Sequence, residues 1–434
     1  MTDQVVPRLR FAPAPTGFLH LGSARTALFN WLYARHTGGE LVLRVEDTNA
    51  ELARPELIDN IYESLEWLGI DWDGEPVRQS QRDHLYQEAI DRLVGDGRAY
   101  EDDGAIRFRV GDAGSTSWDD VVRGTVTFEH EHVEDFVIRR SDGSATFFLA
   151  NAVDDLDLGI THVVRGEDLV NVTPKVIMLR RALGATDLPV FAHLPLIVND
   201  KRKKLSKRRD DVSLASYRER GIIAPAMANY LALLGWGPPD DVEVRPMSEI
   251  VELFELTDIN ASAAMFDLKK LTAINGDYIR AMSVDDLADA IRPYIDAEPW
   301  GPGVDDESLR RVVPLLQERA KLLEEAPGIV DFLFFDDPEI DEASWQKIMT
   351  TETALPMLDA VVTAYADIEW ASHDLHAATL AAGEALGLKL GKAQAPVRVA
   401  VTGRTVGPPL FESLEMLGRD ESLRRIEAAR TRLT

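Results

Sequence analysis

The chain contains no cysteine. Disulfides, thiolate-held zinc and a cysteine nucleophile are therefore excluded. It has no apolar run long enough to cross a membrane and no signal-peptide pattern at Met1-Thr2-Asp3-Gln4. The cytoplasm is the expected compartment, and no membrane partner is expected. Basic residues are scarce: 47 Lys and Arg face 74 Asp and Glu, giving a net charge of −27 and a pI near 4.7. That balance argues against a protein that coats nucleic acid in general. It leaves open a local basic track on an acidic body. No internal repeat is visible. What remains is ordinary: 45% hydrophobic and 28% charged residues make a soluble globular mix. A length of 434 residues predicts two to four domains.

One early stretch organises the chain. Leu9 to Ala12 reads as a short apolar strand, and Pro13 and Pro15 end strand pairing and stiffen the turn. Gly17 frees the backbone again, and Ala24 to Leu32 reads as a helix. His20, Gly22 and Ser23 then stand where that helix begins. A helix start offers unpaired N–H groups and partial positive charge, which suits phosphate. Gly22 allows close approach to the backbone, and His20 adds a donor. A plain strand–turn–helix corner capped by Ser23 explains the same residues.

Along the chain, residues 1–80 read as strand, helix, strand, helix. Glu40 to Val45 is the second strand, and Pro55 opens the second helix, which stops at Gly69. Such alternation predicts a doubly wound nucleotide-binding half, with ligands beyond the strand ends. A helix from Arg82 to Gly95 comes next. Short strands at 106–110, 125–128 and 136–140 change the character. Thr146 to Ala150 reads as a strand, followed by Asn151 and the acidic Asp154-Asp155. His162 to Arg165 is another strand, and Thr173-Pro174 opens a helix closing near Gly184. From Ser213 onward the pattern is helical; Pro225 to Leu234 is apolar on most sides and reads as buried. The stretch 298–303, EPWGPG, reads as a linker, and the rest as amphipathic helices.

The second anchor is Lys201 to Arg209, KRKKLSKRR, with seven basic residues in nine. A solvated loop or a nucleic-acid patch accounts for it equally well. The pair of anchors, however, resembles the two signatures of class I aminoacyl-tRNA synthetases: HIGH at His20-Leu21-Gly22-Ser23 and KMSKS at Lys204-Leu205-Ser206-Lys207-Arg208. Four further words make the likeness specific: RFAPAPTG at Arg10–Gly17, LRVEDT at Leu43–Thr48, VRGED at Val164–Asp168 and RVAVTGRTVG at Arg398–Gly407. Together, in this order, they resemble the bacterial-type glutamyl-tRNA synthetases.

The resemblance implies an α/β, split, doubly wound (Rossmann-like) catalytic domain over 1–97 and 145–210. An acceptor-end-binding insertion over 98–144 interrupts it. A helical stem-contact domain over 211–300 and an α-helical anticodon-binding domain over 301–434 complete the chain. It implies glutamyl-adenylate formation from L-glutamate and ATP with Mg²⁺, then transfer to tRNA(Glu), by a monomer. His20, Lys204 and Lys207 are the implied catalytic residues. Thr16, Gly17, Gly22, Ser23, Asp168, Ile197, Leu205, Ser206 and Arg208 join them around ATP. Arg10, Ala12, Ala14, Glu46, Phe147, Asn151 and Arg165 are implied at glutamate. Two cations and one anion suit an amino acid with two carboxylates and one ammonium, and guanidinium discriminates carboxylate from amide. Taken singly, Arg10 reads equally as a surface arginine, Glu46 as a paired carboxylate, Asn151 as a turn former and Asp168 as a helix cap. Family members with a longer insertion hold zinc there through cysteines; this chain has none, so no zinc is expected. Ala14 stands where the family usually has serine and Phe147 where it often has tyrosine. Each lacks a hydroxyl, which weakens binding by about 0.5–1.5 kcal/mol per lost hydrogen bond. The glutaminyl enzymes differ by EPNG in place of APTG17 and by a β-barrel C-terminal region. The shortened tRNA-base glutamylating paralogue and the small nucleotidyltransferases lack a C-terminal half. An inert homologue is disfavoured by intact His20, Gly22, Lys204 and Lys207.

Overall fold

A computed structural model describes residues 6–49, 53–111, 113–205 and 213–434. The chain divides into two compact units, Met1–Glu219 with Ile223–Ile274, and Arg220–Ile222 with Asn275–Thr434. The expected divisions at 97, 144 and 210 fall within the first unit, and that at 300 within the second.

The first unit opens with β1 (Arg8–Phe11), α1 (Leu21–Thr37), β2 (Glu40–Val45), α2 (Pro55–Trp67) and β3 (Val77–Arg78). The three strands pair in parallel in the order β1-β2-β3. After α3 (Asp83–Gly95) come β4 (Ala99–Asp102), β5 (Ala105–Phe108), β6 (Ser115–Asp120), β7 (Gly124–Glu129) and β8 (Phe136–Arg139). Next are α4 (Phe147–Asp157), β9 (His162–Gly166), α5 (Thr173–Ala182) and β10 (Val190–Leu194). β10 pairs in parallel with β9 on one side and β6 on the other, and β7 closes that edge antiparallel to β6. β1 lies beside β9, where the Thr161 N–H donates to Arg8 O at 3.0 Å. The two sheets, β3-β2-β1 and β9-β10-β6-β7, thus adjoin at β1 and β9. Two wound halves meet at β1 and β9, the switch point at which such sheets bind ligands. The central strands β1, β2, β9 and β10 are buried along most of their length, as strands covered on both faces are. Leu9, Leu41, Leu43, Val163 and Phe191 are at most 1% exposed.

Three differences from the sequence reading have physical causes. Of residues 146–150, Thr146 is the N-cap of helix α4 and Phe147 to Ala150 are its start, where a strand was expected. Seven successive residues of α4, Leu149 to Asp155, are buried, so no helical stripe shows in the sequence. Second, β4 and β6 were not anticipated; β6 is SerThrSerTrpAspAsp, too polar to read as a strand, although Thr116, Trp118 and Asp120 alternate inward. Third, residues 98–144, expected as one insertion, serve two sheets. β4, β5 and β8 form a small antiparallel sheet, whereas β6 and β7 extend the main one.

The first unit continues with β11 (Ile197–Val198), α6 (Leu214–Glu219), α7 (Ala224–Leu233), α8 (Met247–Leu253) and β12 (Ala264–Met265), and with the start of α9 (Leu268–Ala281). α7 is buried from Ala226 to Ala232, as its composition predicts. The second unit carries α10 (Val284–Asp296), α11 (Asp306–Gln317), α12 (Ala326–Val330), α13 (Glu342–Ile348), α14 (Ala354–Tyr365), α15 (Ser372–Ala385), α16 (Leu390–Thr402), α17 (Leu410–Leu417) and α18 (Arg419–Leu433), with no strand among its described residues. Met357, Leu358, Val361, Val397, Val401, Leu414 and Ile426 form the centre of its core.

Candidate active site

A cavity of about 430 Å³ opens at the switch point, beyond the C-terminal ends of β1, β9 and β10. Its upper wall is the start of α1. The N-cap is His20, not Ser23: the Ser23 N–H donates to His20 Nδ1 at 3.1 Å, and Ser23 Oγ lies 3.2 Å from Nε2. Ser23 lies in the first turn instead. A Cβ on Gly22 would stand 3.1 Å from His20 Cε1, so the ring would have to give by a few tenths of an ångström. The loop from β1 is tied to the end of β2 by the Glu46 N–H, which donates to Pro13 O at 2.9 Å. The two strand-end loops therefore hold a common wall.

The floor is a buried set of charges. Arg10 (β1) donates from Nε to Asp155 Oδ1 at 3.3 Å. Arg44 (β2) donates from Nη1 to the same oxygen at 2.6 Å and from Nη2 to Glu46 Oε1 at 3.0 Å. Asn151 Nδ2 donates to that Glu46 oxygen at 3.5 Å, while Asn151 Oδ1 is buried with no hydrogen-bond partner among the described residues. Behind them Asp154 accepts from Gln79, Arg82 and Tyr86. Arg165 (β9) donates from Nε to His193 Nε2 at 3.2 Å and from Nη2 to Thr173 Oγ1 at 2.7 Å. It forms no ion pair among the described residues.

Electrostatics follow from this layout. Burial and the like charge of Arg10 push Arg165 down to about 9, so it stays charged at neutral pH. Burial also lowers Arg10, against the pull of Asp155. For Arg44 burial acts downward, but Asp155, Glu46 and Asp154 outweigh it and the pKa is raised. Burial raises Glu46, and Arg44 opposes this. Burial works to raise Asp155 as well, yet Arg10 and Arg44 prevail and hold it at about 2. Arg10, Arg44, Arg165 and, behind them, Arg82 thus face Glu46, Asp155 and Asp154, with one positive charge in excess and a lone acceptor at Asn151. Such a floor suits a small ligand carrying more carboxylate than ammonium.

At the opposite side Lys204 Nζ donates to Asp168 Oδ2 at 3.1 Å, both side chains being more than half exposed. The Leu205 N–H donates to Ile197 O at 3.1 Å, which seats the last described residue of the basic stretch against β11.

Of the residues singled out from sequence, Arg10, Ala12, Ala14, His20, Gly22, Ser23, Glu46, Phe147, Asn151, Arg165, Asp168, Ile197, Lys204 and Leu205 line this one cavity. Thr16 and Gly17 do not; they lie on the loop above, Thr16 exposed. Ser206, Lys207 and Arg208 fall outside the described residues. Sequence reasoning missed Arg44, Asp155, His193 and Arg25. Arg25 lines the cavity from α1, donating to Leu234 O at 3.0 Å and to Pro195 O, and burial lowers it to about 10. The available signal was a charged residue inside an apolar run, as in Leu41-Val42-Leu43-Arg44-Val45, which demands a buried partner.

The family model for the catalytic domain of class I tRNA synthetases (E and Q) matches residues 6–105 and 101–273, and one for an anticodon binding domain matches 286–430. The chain is 50% identical to a glutamate–tRNA ligase of Frankia casuarinae, with 98% of each chain covered. It is 48% identical to one of Thermobifida fusca, covering 100% of this chain and 99% of the other. Among solved structures, a glutamate tRNA ligase from Elizabethkingia meningosepticum in complex with its amino acid superposes with a TM-score of 0.85 at 28% identity. That match covers 99% of this chain and all of the other.

Proposed function

The chain belongs to the class I tRNA synthetases of the glutamate and glutamine branch, and we propose from this premise that it is a glutamate–tRNA ligase. A glutamate carboxylate oxygen attacks the α-phosphorus of ATP, the bond to the bridging oxygen breaks, and pyrophosphate leaves. A terminal ribose hydroxyl of tRNA(Glu) then attacks the acyl carbon of glutamyl-adenylate and AMP leaves.

Arg10 and Arg165 grip the carboxylates. Glu46 and Asn151 Oδ1 take the ammonium. Ala12, Ala14 and Phe147 shape the apolar wall around the side chain. His20, Gly22 and Ser23 at the start of α1 hold phosphate, with Thr16 and Gly17 on the loop above. Asp168, Ile197 and Leu205 flank the nucleotide. Lys204 and Lys207, with Ser206 and Arg208, bring donors and positive charge to the phosphates. Charge stabilisation and positioning account for the phosphoryl step, and no protein nucleophile is needed. Among the described residues no three His, Asp or Glu side chains converge as metal ligands. Mg²⁺ would enter with ATP and would supply charge neutralisation at the phosphates. Zinc has no part in this reading. The small sheet and hairpin within 98–144 meet the acceptor end, 211–300 the stem and 301–434 the anticodon, the last supported by the match over 286–430. No helix among the described residues is long and apolar enough to cross a membrane. The reading carries a monomer acting in the cytoplasm.

The observation that carries the reading is the buried guanidinium excess at the ends of β1 and β9. Its test is ATP–pyrophosphate exchange with glutamate or glutamine, each with and without tRNA(Glu). Exchange is expected with glutamate in the presence of tRNA. Exchange with glutamine instead would remove the specificity assignment, and exchange with neither would remove the enzyme.

A further inference from the structure

Among the described residues no anion pairs with Arg165. Its Nε always carries a proton, so the His193 nitrogen 3.2 Å away must present its lone pair. The proton of neutral His193 then sits on Nδ1, which lies 2.5 Å from Asp120 Oδ2. Asp120 is itself fixed, since Oδ1 accepts from the backbone N–H groups of His193, Val122 and Arg123 at 3.1, 3.1 and 3.0 Å. Thr173 Oγ1 touches both His193 Nε2, at 3.0 Å, and Arg165 Nη2. The four side chains come from β6, β10, α5 and β9 and are at most 5% exposed. The Phe191 and Trp118 rings flank the imidazole at 6.1 and 6.4 Å between centroids.

We propose that Asp120 and His193 are a positioning pair for Arg165. Asp120 fixes the Nδ1–H tautomer, and His193 then offers a neutral acceptor that aims the guanidinium into the cavity and leaves its charge for a substrate carboxylate. A carboxylate in the place of His193 would orient Arg165 equally well but would neutralise it. The assignment rests on the glutamate-activating reading above.

Protonation of His193 would set an N–H and a positive charge against Arg165. The charged groups acting on the imidazole are Asp120 from β6, Arg165 from β9 and Arg10 from β1, and Arg123 donates to the His193 carbonyl. Burial dominates and holds His193 below the ordinary 6.5, so it is neutral at pH 7 and takes up a proton only on the acid side.

The test separates the KM for glutamate from that for ATP in tRNA(Glu) aminoacylation, from pH 5 to 8. Asp120→Asn turns the imidazole so that Nε2–H faces Arg165. It is expected to raise the glutamate KM at least about tenfold, or about 1.4 kcal/mol, with the ATP KM changed less than about twofold. His193→Gln keeps an acceptor toward Arg165 and recovers most of the loss that His193→Phe produces. The wild-type glutamate KM rises toward acid pH, and this rise is absent in His193→Gln. Should the variants fail to fold, ¹⁵N spectra of the native enzyme decide: at pH 7 His193 must show a protonated Nδ1 and a bare Nε2, and the reverse tautomer or an imidazolium overturns the proposal. Equal shifts in both KM values, or an unchanged glutamate KM in Asp120→Asn, overturn it while the functional reading stands. A wild-type enzyme that never activates glutamate brings down both.

Discussion

Replacing Asp155 by asparagine removes one negative charge from the cavity floor and little else. The side chains match in size, and the amide oxygen can still accept from Arg10 Nε and Arg44 Nη1, which stand 3.3 and 2.6 Å from Oδ1. The substitution therefore imitates a protonated aspartate. In the folded protein the carboxyl sits at about 2 instead of 3.8, because Arg10 and Arg44 outweigh the burial that would raise it. That lowering is worth about 2 kcal/mol, which is the expected cost of Asp155→Asn at pH 7. A carboxylate depressed by folding contributes fully above its unfolded pKa and loses the contribution as pH falls through its folded pKa. The stability gap between wild type and variant should thus shrink to roughly half its size at pH 3 and vanish below pH 2. Urea unfolding at the two pH values measures the gap as a midpoint shift at constant slope. Asp155→Ala goes further. It leaves Arg10, 3% exposed, with no carboxylate partner, and is expected to cost about 3–5 kcal/mol. A gap that does not narrow toward acid, or an asparagine variant as stable as wild type at pH 7, would refute the view that Asp155 works through its charge on the two arginines.

Two other outcomes are expected. His20→Ala and Lys207→Ala should each lower adenylate formation by at least about 100-fold, read by pyrophosphate exchange. His20 is an exposed N-cap, so its removal should cost no more than about 1 kcal/mol of stability; turnover like wild type in either variant would remove the catalytic assignment. In the second unit, Gly403 ends α16 with φ +74°, and a Cβ there would stand 2.1 Å from Glu339 O. Gly403→Ala should lower stability by more than about 2 kcal/mol in thermal unfolding, left-handed strain adding to the clash; a loss under about 1 kcal/mol would mean that the Glu339 backbone yields.

What the sequence made legible were features encoded by neighbours. The turn from Phe11 to Gly22 is written in two prolines and two glycines, and α2 in its Pro55 start. Arg10, Glu46 and Arg165 stood out through short words around strand ends. What stayed hidden depends on residues far apart in the chain. Arg44 meets Asp155 across 111 positions, and His193 meets Asp120 across 73. An arginine inside an apolar run says that Arg44 has a buried partner, but nothing local says which residue it is. Helix α4 was misread for a related reason: burial on every side, which includes Asn151, Asp154 and Asp155, erases the amphipathic period that marks a helix. Polar residues inside a buried helix are a sign of a site rather than of an exposed face.

Charge shows the same separation of scales. The whole chain carries −27, yet the cavity floor holds more guanidinium than carboxylate. These facts do not conflict. Exposed carboxylates act through water and are screened within about 8–10 Å at physiological salt, whereas Arg10, Arg44, Arg165, Glu46 and Asp155 act on one another at short range inside the protein, where the effective dielectric is far lower. The composition governs how the body repels a polyanion at a distance. The residues at the ends of β1, β2 and β9 decide what a small dianion meets on arrival. A tRNA approaching this surface must therefore be received by a local positive path, and Lys201 to Lys204, beside the cavity mouth at Asp168, are where the described chain begins one.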